Sequence, residues 1–332
     1  MAYHIGIELS PSYFKLAEVK RNRRGITLQQ YVVHPFPGIW SKDAAFLERE
    51  ELVQTIQEAL LGRELHTERV HVGISCHEVV FKHVTVPEMP KRKYRRWIEE
   101  HLLSVLDLPF PDPAFDYQLV DHVWADGDEQ KILLALISKS YIDTLTRVLR
   151  YCGLDPTHID LSPFSLFRWI NASREIASAH TVIVQISKTE VEVSFFVDGK
   201  FTDIRPFHLP LTFFLDGADR PYPDPLKPVL QEESEVARYG RALFSRLTEW
   251  MDQTGKRRFL KPGAQWILTG EGLDLYLLEH WLNQQTEAAV SVAPPAELVM
   301  TERLREKASR WVGTSLSVPL GLVLREGEVL QP

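Results

Sequence analysis

The sequence predicts an α/β protein made of two similar lobes, each of which begins with a three-stranded antiparallel meander. Residues 4–37 and 180–210 show the same succession of short apolar runs and tight turns, about half a chain apart. A repeat of this kind indicates two related structural units in one chain. A chain of 332 residues also has room for two units of about 150 residues each. We therefore expect a cleft between facing lobes, where ligands commonly bind.

The first lobe is predicted to start with the meander and to continue as alternating helices and strands. We assign it residues 1–77 and 126–176. Alternating or continuous apolar runs predict its strands, and apolar residues at helical spacing predict its helices. The expected strands are 3–9, 13–20, 26–33, 70–74, 131–138 and 158–161, and the expected helices are 47–62, 141–152 and one that begins at Pro163.

An inserted subdomain is expected at residues 78–125, between two parts of the first lobe. It has a strand at 79–86, the punctuation Pro-Glu-Met-Pro at 87–90, and then a helix that a proline-rich segment at 108–113 ends. The apolar face of that helix is predicted to comprise Tyr94, Trp97, Ile98, Leu102, Val105 and Leu106. The basic run at 91–96 is interpreted as the solvated face, with contact to acidic lipid or a partner as the alternative.

The second lobe is predicted over residues 177–290. Its meander consists of strands at 182–186, 191–197 and 201–204, with the hairpin turn Asp198-Gly199 between the last two. A proline-rich connection at 216–228, a helix at 232–253, a strand at 265–268 and a helix from Leu273 follow. Residues 291–332 are expected to return to the first lobe through the apolar stretch 316–324.

Composition and charge exclude several classes of function. The chain is 44% hydrophobic and 25% charged, as in ordinary folded proteins, and its net charge of −7 argues against nucleic-acid binding. Its two cysteines and twelve histidines show no metal-ligand spacing. We find neither a signal peptide nor an apolar stretch of the ~20 residues that span a bilayer. The sequence therefore predicts no direct membrane insertion.

A series of short motifs follows one order along the chain. The series is Ile7-Glu8-Leu9-Ser10-Pro11-Ser12-Tyr13-Phe14-Lys15, Val86-Pro87-Glu88-Met89-Pro90, Trp97-Ile98-Glu99, Leu108-Pro109 and Asp116-Tyr117, Gly153-Leu154 with Ile159-Asp160, Leu268-Thr269-Gly270, and Gly321-Leu322-Val323-Leu324-Arg325. In this order, the whole chain resembles the PilM family, the cytoplasmic proteins of type IV pilus assembly. The resemblance implies the actin-like (ASKHA) fold, with a nucleotide cleft between the lobes.

The departures from the family pattern lie in that cleft. The resemblance implies Asp and Gly in each phosphate loop, whereas this chain has Glu8 with Ser10 and Gln185 with Ser187, and Glu271 replaces the second glycine of an adenosine loop. Mg²⁺ with a nucleotide favours carboxylate ligands, and glycines let amides approach phosphates. The implied cleft positions are Glu8, Ser10, Ser12, Lys15, Gln185, Ser187, Gly270, Glu271 and Gly272. We therefore expect a degenerate cleft without a cofactor, with ATP and Mg²⁺ as the alternative.

Two of the retained residue types also have interpretations that need no ligand. Lys15 fits a solvated strand position as well as a phosphate ligand. Gly270 and Gly272 fit a plain strand-to-helix turn as well as a nucleotide loop. The sequence predicts no catalytic residue and no metal ligand.

The leading hypothesis is a non-catalytic scaffold of a type IV pilus or a competence (DNA-uptake) machine. As the resemblance implies, it would bind the cytoplasmic N-terminal tail of a PilN-like single-pass membrane protein, at the inner face of the cell membrane. The candidate groove residues, between the first lobe and the insert, are Phe110, Phe115 and Tyr117. Alternatives are an ATP-binding member that uses Lys15, Glu8 and Ser12, a sugar- or acetate-kinase-like enzyme with Asp160 as its carboxylate, and a GspL-type secretion scaffold.

Overall fold

A computed structural model describes residues 2–10, 12–22, 25–36, 50–123, 129–217 and 224–324. The strands are β1 Ala2–Leu9, β2 Tyr13–Asn22, β3 Gly25–Pro35, β4 Arg69–Ile74, β5 Val80–Pro87, β6 Pro113–Val123, β7 Glu129–Ser138, β8 Asp155–Leu161, β9 His180–Ile186, β10 Glu190–Val197, β11 Lys200–His208, β12 Ala264–Gly270 and β13 Ala289–Val292. The helices are α1 Glu50–Leu60, α2 Lys91–Trp97, α3 Lys139–Tyr151, α4 Ser162–Ala172, α5 Glu233–Gln253, α6 Leu275–Leu282, α7 Glu302–Lys307 and α8 Ser317–Leu322.

Two five-stranded sheets repeat one topology. Their strand orders are β3-β2-β1-β4-β8 and β11-β10-β9-β12-β13. In each sheet the first three strands form an antiparallel meander, and the last two lie parallel to the first strand of that meander. The meanders that the sequence predicted are therefore present, and β1 and β9 occupy equivalent places. Pro11, 47–49, part of the 216–228 connection, and 325–332 with Arg325 lie outside the described residues.

The β10–β11 turn shows why Asp198-Gly199 predicted a hairpin in the second meander. Asp198 and Gly199 have φ of 49° and 74°, so both central residues of the β10–β11 turn are left-handed. This is the conformation that a two-residue hairpin with the native strand twist requires, and Asp-Gly adopts it readily. Strand β13 has four residues and was not predicted, because a run this short gives little periodicity.

The insert is built on a third sheet, of order β5-β7-β6. We expected the strand at 131–138 in the first lobe. It lies instead at the centre of the insert's sheet, paired with both β5 and β6. Helix α2 continues as a π-helical segment to Leu102 and buries Tyr94 and Ile98 against that sheet. The prediction that Val105 faces inward was wrong, because its side chain is 73% exposed.

The apolar stretch near the C-terminus is helical and returns to the first lobe. Helix α8 is buried and packs against α4 and β1. The approach to α4 is so close that a Cβ on Gly321 would lie 1.8 Å from Ser165 O, which explains the glycine there. Within the described ranges, no helix is long and apolar enough to cross a membrane.

Candidate functional site

Two equivalent turns face each other where a nucleotide cleft was predicted, and a serine closes each of them. Ser10 Oγ accepts a hydrogen bond from Tyr13 N at 3.1 Å and donates to Tyr13 O at 3.3 Å. Ser187 Oγ accepts from Glu190 N at 3.1 Å and donates to Glu190 O at 3.0 Å. In a phosphate loop, such amides point at the anion. Here, in both lobes, the amide donates its hydrogen bond to the serine hydroxyl instead.

The two serines replace glycines of the family pattern without straining the backbone. Among the described non-glycine residues, Arg174 and Asp198 have a positive φ, so neither Ser10 nor Ser187 adopts the left-handed conformation. The loss of glycine therefore acts through the hydroxyl, which forms the turn hydrogen bonds, and not through a steric penalty.

A buried charged cluster, formed by Glu8, Lys15, Gln185 and Glu271, lies beside these turns. Lys15 Nζ is 2.7 Å from Glu271 Oε2 and 3.1 Å from Glu8 Oε2. Gln185 Nε2 donates to Glu8 Oε1 at 2.9 Å. Lys15, Glu8 and Glu271 are 2%, 3% and 5% exposed, so the interpretation of Lys15 as a solvated strand residue was wrong. The cluster connects residues of both lobes.

The charged cluster contains two acidic side chains, Glu8 and Glu271, and one basic side chain, Lys15. Burial raises the pKa of Glu8 above its usual value, and nearby Glu271 adds to this, although Lys15 opposes it. Burial alone would lower the pKa of Lys15, but Glu271 and Glu8 outweigh it and raise that pKa. Two buried oxygens, Gln185 Oε1 and Glu271 Oε1, accept no hydrogen bond from the described residues. One lysine therefore faces two carboxylates in a dry site.

Replacement of Glu8 by glutamine should increase the free energy of unfolding at pH 7 by about 1 kcal/mol, because it removes one of the two buried carboxylate charges that face a single lysine. The raised pKa means that the folded protein holds the Glu8 proton more tightly than the unfolded chain. The contribution of Glu8 to wild-type stability must therefore fall as pH rises from 4.5, the ordinary value, through the folded pKa. Urea unfolding of both proteins between pH 5 and 8 should show a gap that widens with pH, and a constant gap would contradict the assignment.

Little space remains between the two turns. The cavity there has a volume of about 30 Å³ and is lined by Glu8, Ser10, Ser187 and their neighbours. The ring of Tyr13 is fully buried, and its hydroxyl donates to Pro225 O at 2.7 Å. Lys188 Nζ, from the opposite turn, lies 5.0 Å from the centre of that ring. Side chains thus fill the gap between the lobes.

His77 makes a second polar contact between the lobes, which the sequence did not suggest. It lies in the turn after β4, whereas Glu190 and Glu192 lie on β10. Its Nδ1 is 2.9 Å from Glu192 Oε1, and its Nε2 is 3.2 Å from Glu190 Oε2. Glu192 Oε1 also accepts hydrogen bonds from Cys76 N, at 2.8 Å, and from Ser75 Oγ. The signal available in the sequence was the pair of acids alternating with valines in an otherwise apolar strand.

Gly270 and Gly272 form the turn between β12 and α6. Their φ angles are 109° and 100°, and a Cβ on Gly270 would lie 1.9 Å from Ile186 O. Both the positive φ and the close approach require glycine, with no ligand involved. A pocket of about 160 Å³ adjoins this turn and is lined in part by Tyr276, Arg310 and Trp311.

A much larger opening lies between the insert, the first lobe and the tip of the β10–β11 hairpin. This opening, which we call the insert groove, has a volume of about 880 Å³. Two of its walls contain strands that end their sheets, β6 in the insert and β8 in the first lobe. Its aromatic lining comes from all three parts of the chain and comprises Phe81, Phe115, Tyr117, Phe164, Phe167, Phe196 and Phe201.

Comparison with known protein families identifies the family to which this chain belongs. The sequence matches the family model described as Type IV pilus assembly protein PilM over residues 6–206, which is more than half of the chain. The chain belongs to the PilM family. The match runs from within β1 to within β11, so it includes the insert and most of the second meander, and it confirms the resemblance that the ordered motifs indicated.

Two solved structures that match with TM-scores of 0.50 or more show the same fold. One, described as a PilM-PilN type IV pilus biogenesis complex, is 20% identical with a TM-score of 0.68, covering 96% of this chain and 97% of that chain. The ethanolamine utilization protein EutJ from Carboxydothermus hydrogenoformans is 12% identical with a TM-score of 0.50, covering 97% and 89%. A Bacteroides thetaiotaomicron protein described as having an actin-like ATPase fold is 9% identical with a TM-score of 0.47, covering 97% and 96%. The predicted two-lobed actin-like fold is confirmed.

Two of the three residues that we suggested for partner binding line the insert groove. Phe115 and Tyr117 are among its lining residues, and both also pack against the core of the insert. Phe110 packs against that core and is not among the lining residues. Asp160, the carboxylate of the kinase alternative, lines the insert groove, where it accepts a hydrogen bond from Arg168.

Phe201 is the aromatic residue at which the three parts of the groove meet, and the sequence did not identify it. Its ring centre lies 5.6 Å from Phe81 of the insert, 5.1 Å from Phe164 of the first lobe and 5.6 Å from Phe196 of its own hairpin. Aromatic pairs at such distances contribute about 0.5–1.5 kcal/mol each beyond the area they bury. Phe201 therefore joins the hairpin tip to both other walls.

Proposed function

We propose that this protein is a non-catalytic scaffold of a type IV pilus or DNA-uptake machine, and that its insert groove holds the tail of a membrane-anchored partner. The observation that carries the proposal is the difference in volume between two cavities. The gap between the phosphate-loop positions is about 30 Å³, whereas the insert groove is about 880 Å³. Pockets for small ligands usually measure about 300–1,000 Å³.

The residues of the cleft do not fit Mg-ATP. The Ser10 and Ser187 hydroxyls hold amides that phosphates would need. Both carboxylates of the charged cluster lie against Lys15 and not in an open, solvated position where they could bind a hydrated cation. Binding would require opening of the turns and separation of Lys15 from Glu271, with loss of buried charge pairing. We therefore propose that no nucleotide is bound.

The insert groove fits an extended peptide. Strands β6 and β8 each end a sheet, so each has a backbone edge to which a further strand can be added, and such addition is a common way to capture peptide tails. The aromatic lining offers contacts for alternate side chains. The related solved structure is described as a complex of PilM with PilN. We propose a PilN-like single-pass membrane protein as the partner here, bound through its N-terminal cytoplasmic tail.

Such a partner would place this protein at the inner face of the cell membrane. The test is a fluorescence anisotropy titration with a fluorescein-labelled peptide that copies the cytoplasmic N-terminal residues of a PilN-like protein from the same genome. We expect saturable binding, and a scrambled peptide of the same composition should not bind. A calorimetric titration with Mg-ATP should give no heat of binding up to millimolar concentrations. Micromolar ATP binding would overturn the degenerate-cleft proposal, and failure of the peptide to bind would overturn the scaffold proposal.

A further inference from the structure

The turn that carries His77 continues directly into one wall of the insert groove. His77 lies in the 3₁₀ segment Cys76–Glu78, between β4 and β5. The next residues, Val79 and Phe81, line the groove. A displacement of this turn would therefore move the wall.

The acids that hold His77 belong to a strand that forms the opposite wall. Glu190, Glu192 and Phe196 lie at alternate positions of β10, so their side chains emerge on one face of the strand. Phe196 lines the groove about 13 Å beyond Glu192, at a rise of about 3.3 Å per residue. The strand then ends in the hairpin turn that brings Lys200 to the groove.

We propose that the contact of His77 with Glu190 and Glu192, which we call the latch, positions the β10–β11 hairpin against the insert and thereby sets the width of the groove. The inference deepens the proposed function and rests on it for its consequence, which is tail affinity. His77, Glu190 and Glu192 are positioning residues, because none of them lines the groove.

The latch is suited to this role because it is largely buried and because His77 lies between two carboxylates, those of Glu190 and Glu192. The side chains of His77, Glu190 and Glu192 are 15%, 10% and 8% exposed. Each ring nitrogen of His77 faces one carboxylate, Nδ1 that of Glu192 and Nε2 that of Glu190. Without the imidazole, Glu190 loses its contact with the turn, whereas Glu192 keeps its hydrogen bonds to Cys76 N and Ser75 Oγ. The two carboxylates are then no longer bridged and repel each other, which weakens the contact of β10 with the turn and lets the groove walls separate.

The latch can be tested by measuring the groove without any ligand. Spin labels on Asp116→Cys and Lys200→Cys, which are exposed positions on opposite walls, report the width by electron spin resonance distance measurement. The native cysteines compete little for the label, because burial raises the pKa of Cys152 to about 11 and that of buried Cys76 well above its usual value. His77→Ala should lengthen and broaden the distance distribution, and Glu192→Ala, which removes the contacts with His77, Cys76 N and Ser75 Oγ, should do so independently.

His66→Ala is the matched control. His66 Nδ1 lies 3.1 Å from Glu18 Oε2, a histidine–glutamate contact within the first lobe, so its loss should leave the groove width unchanged. On unlabelled protein, His77→Ala should weaken binding of the tail peptide by about 5–150-fold, the usual range for coupled sites. Unchanged distances in both latch variants would overturn the inference. If wild-type protein fails to bind the peptide, the proposed function fails, and the label distances still decide whether the latch sets the width.

Discussion

Replacement of Lys15 by methionine is expected to lower the free energy of unfolding by about 3–5 kcal/mol, the usual cost when one partner of a buried ion pair is removed. Methionine nearly fills the volume of the lysine stem, so the effect is electrostatic. It leaves Glu8 and Glu271 buried without the cation that lies 3.1 Å and 2.7 Å from them. Urea unfolding at pH 7, followed by circular dichroism, measures the change.

Lys139→Met is the matched control for that experiment. Lys139 Nζ also lies 2.7 Å from a carboxylate, Asp143 Oδ2, but both side chains are more than half exposed. Its loss should cost less than about 1 kcal/mol. Substitution of Glu8 and Glu271 by glutamine in the Lys15→Met background should restore much of the stability, because no buried carboxylate then remains unpaired. A small effect of Lys15→Met, equal to that of Lys139→Met, would contradict the buried charged cluster.

Replacement of Ala135 by tryptophan is expected to weaken tail-peptide binding by at least about 100-fold, which corresponds to about 2.7 kcal/mol. Ala135 lies on the central strand of the insert and lines the groove. An indole there occupies the space that an extended peptide needs. Anisotropy titration of the variant against the labelled peptide gives the ratio of the dissociation constants.

Lys131→Trp serves as the control for the groove. It lies on the same face of β7 as Ala135 but is exposed and is not among the groove-lining residues. Peptide affinity should match that of wild type. Equal binding by the Ala135→Trp protein, with its fold intact by circular dichroism, would place the tail elsewhere and refute the assignment of the groove.

The sequence predicted the elements whose pattern is local. The meanders follow from alternation along single strands, and the equivalence of Glu8 with Gln185 follows from the repeat itself. The sheet to which residues 131–138 belong could not be predicted, because a continuous apolar run fits any buried central strand. Pairing of that strand with β5 and β6 depends on contacts between distant segments.

Only part of the candidate site was predicted, because the rest also depends on contacts between distant segments. The resemblance placed Glu8, Lys15, Gln185 and Glu271 in one cleft, and the structure brings them into contact. The latch escaped detection because a histidine in a polar turn and alternating acids on a strand both resemble solvent-facing positions. The walls of the insert groove come from three separate segments, and no single stretch of sequence carries a signal for them.

The hydrogen bond between Gln185 and Glu8 joins the two halves of an internal repeat at equivalent residues. This has a consequence for the evolutionary history of the chain. A Gln185→Asp substitution would add a third carboxylate to the charged cluster, beside Glu8, and Ser10→Gly would open one turn while Ser187 still closed the other. Each single step toward a nucleotide site therefore costs stability before it confers binding, since neighbouring changes are not additive.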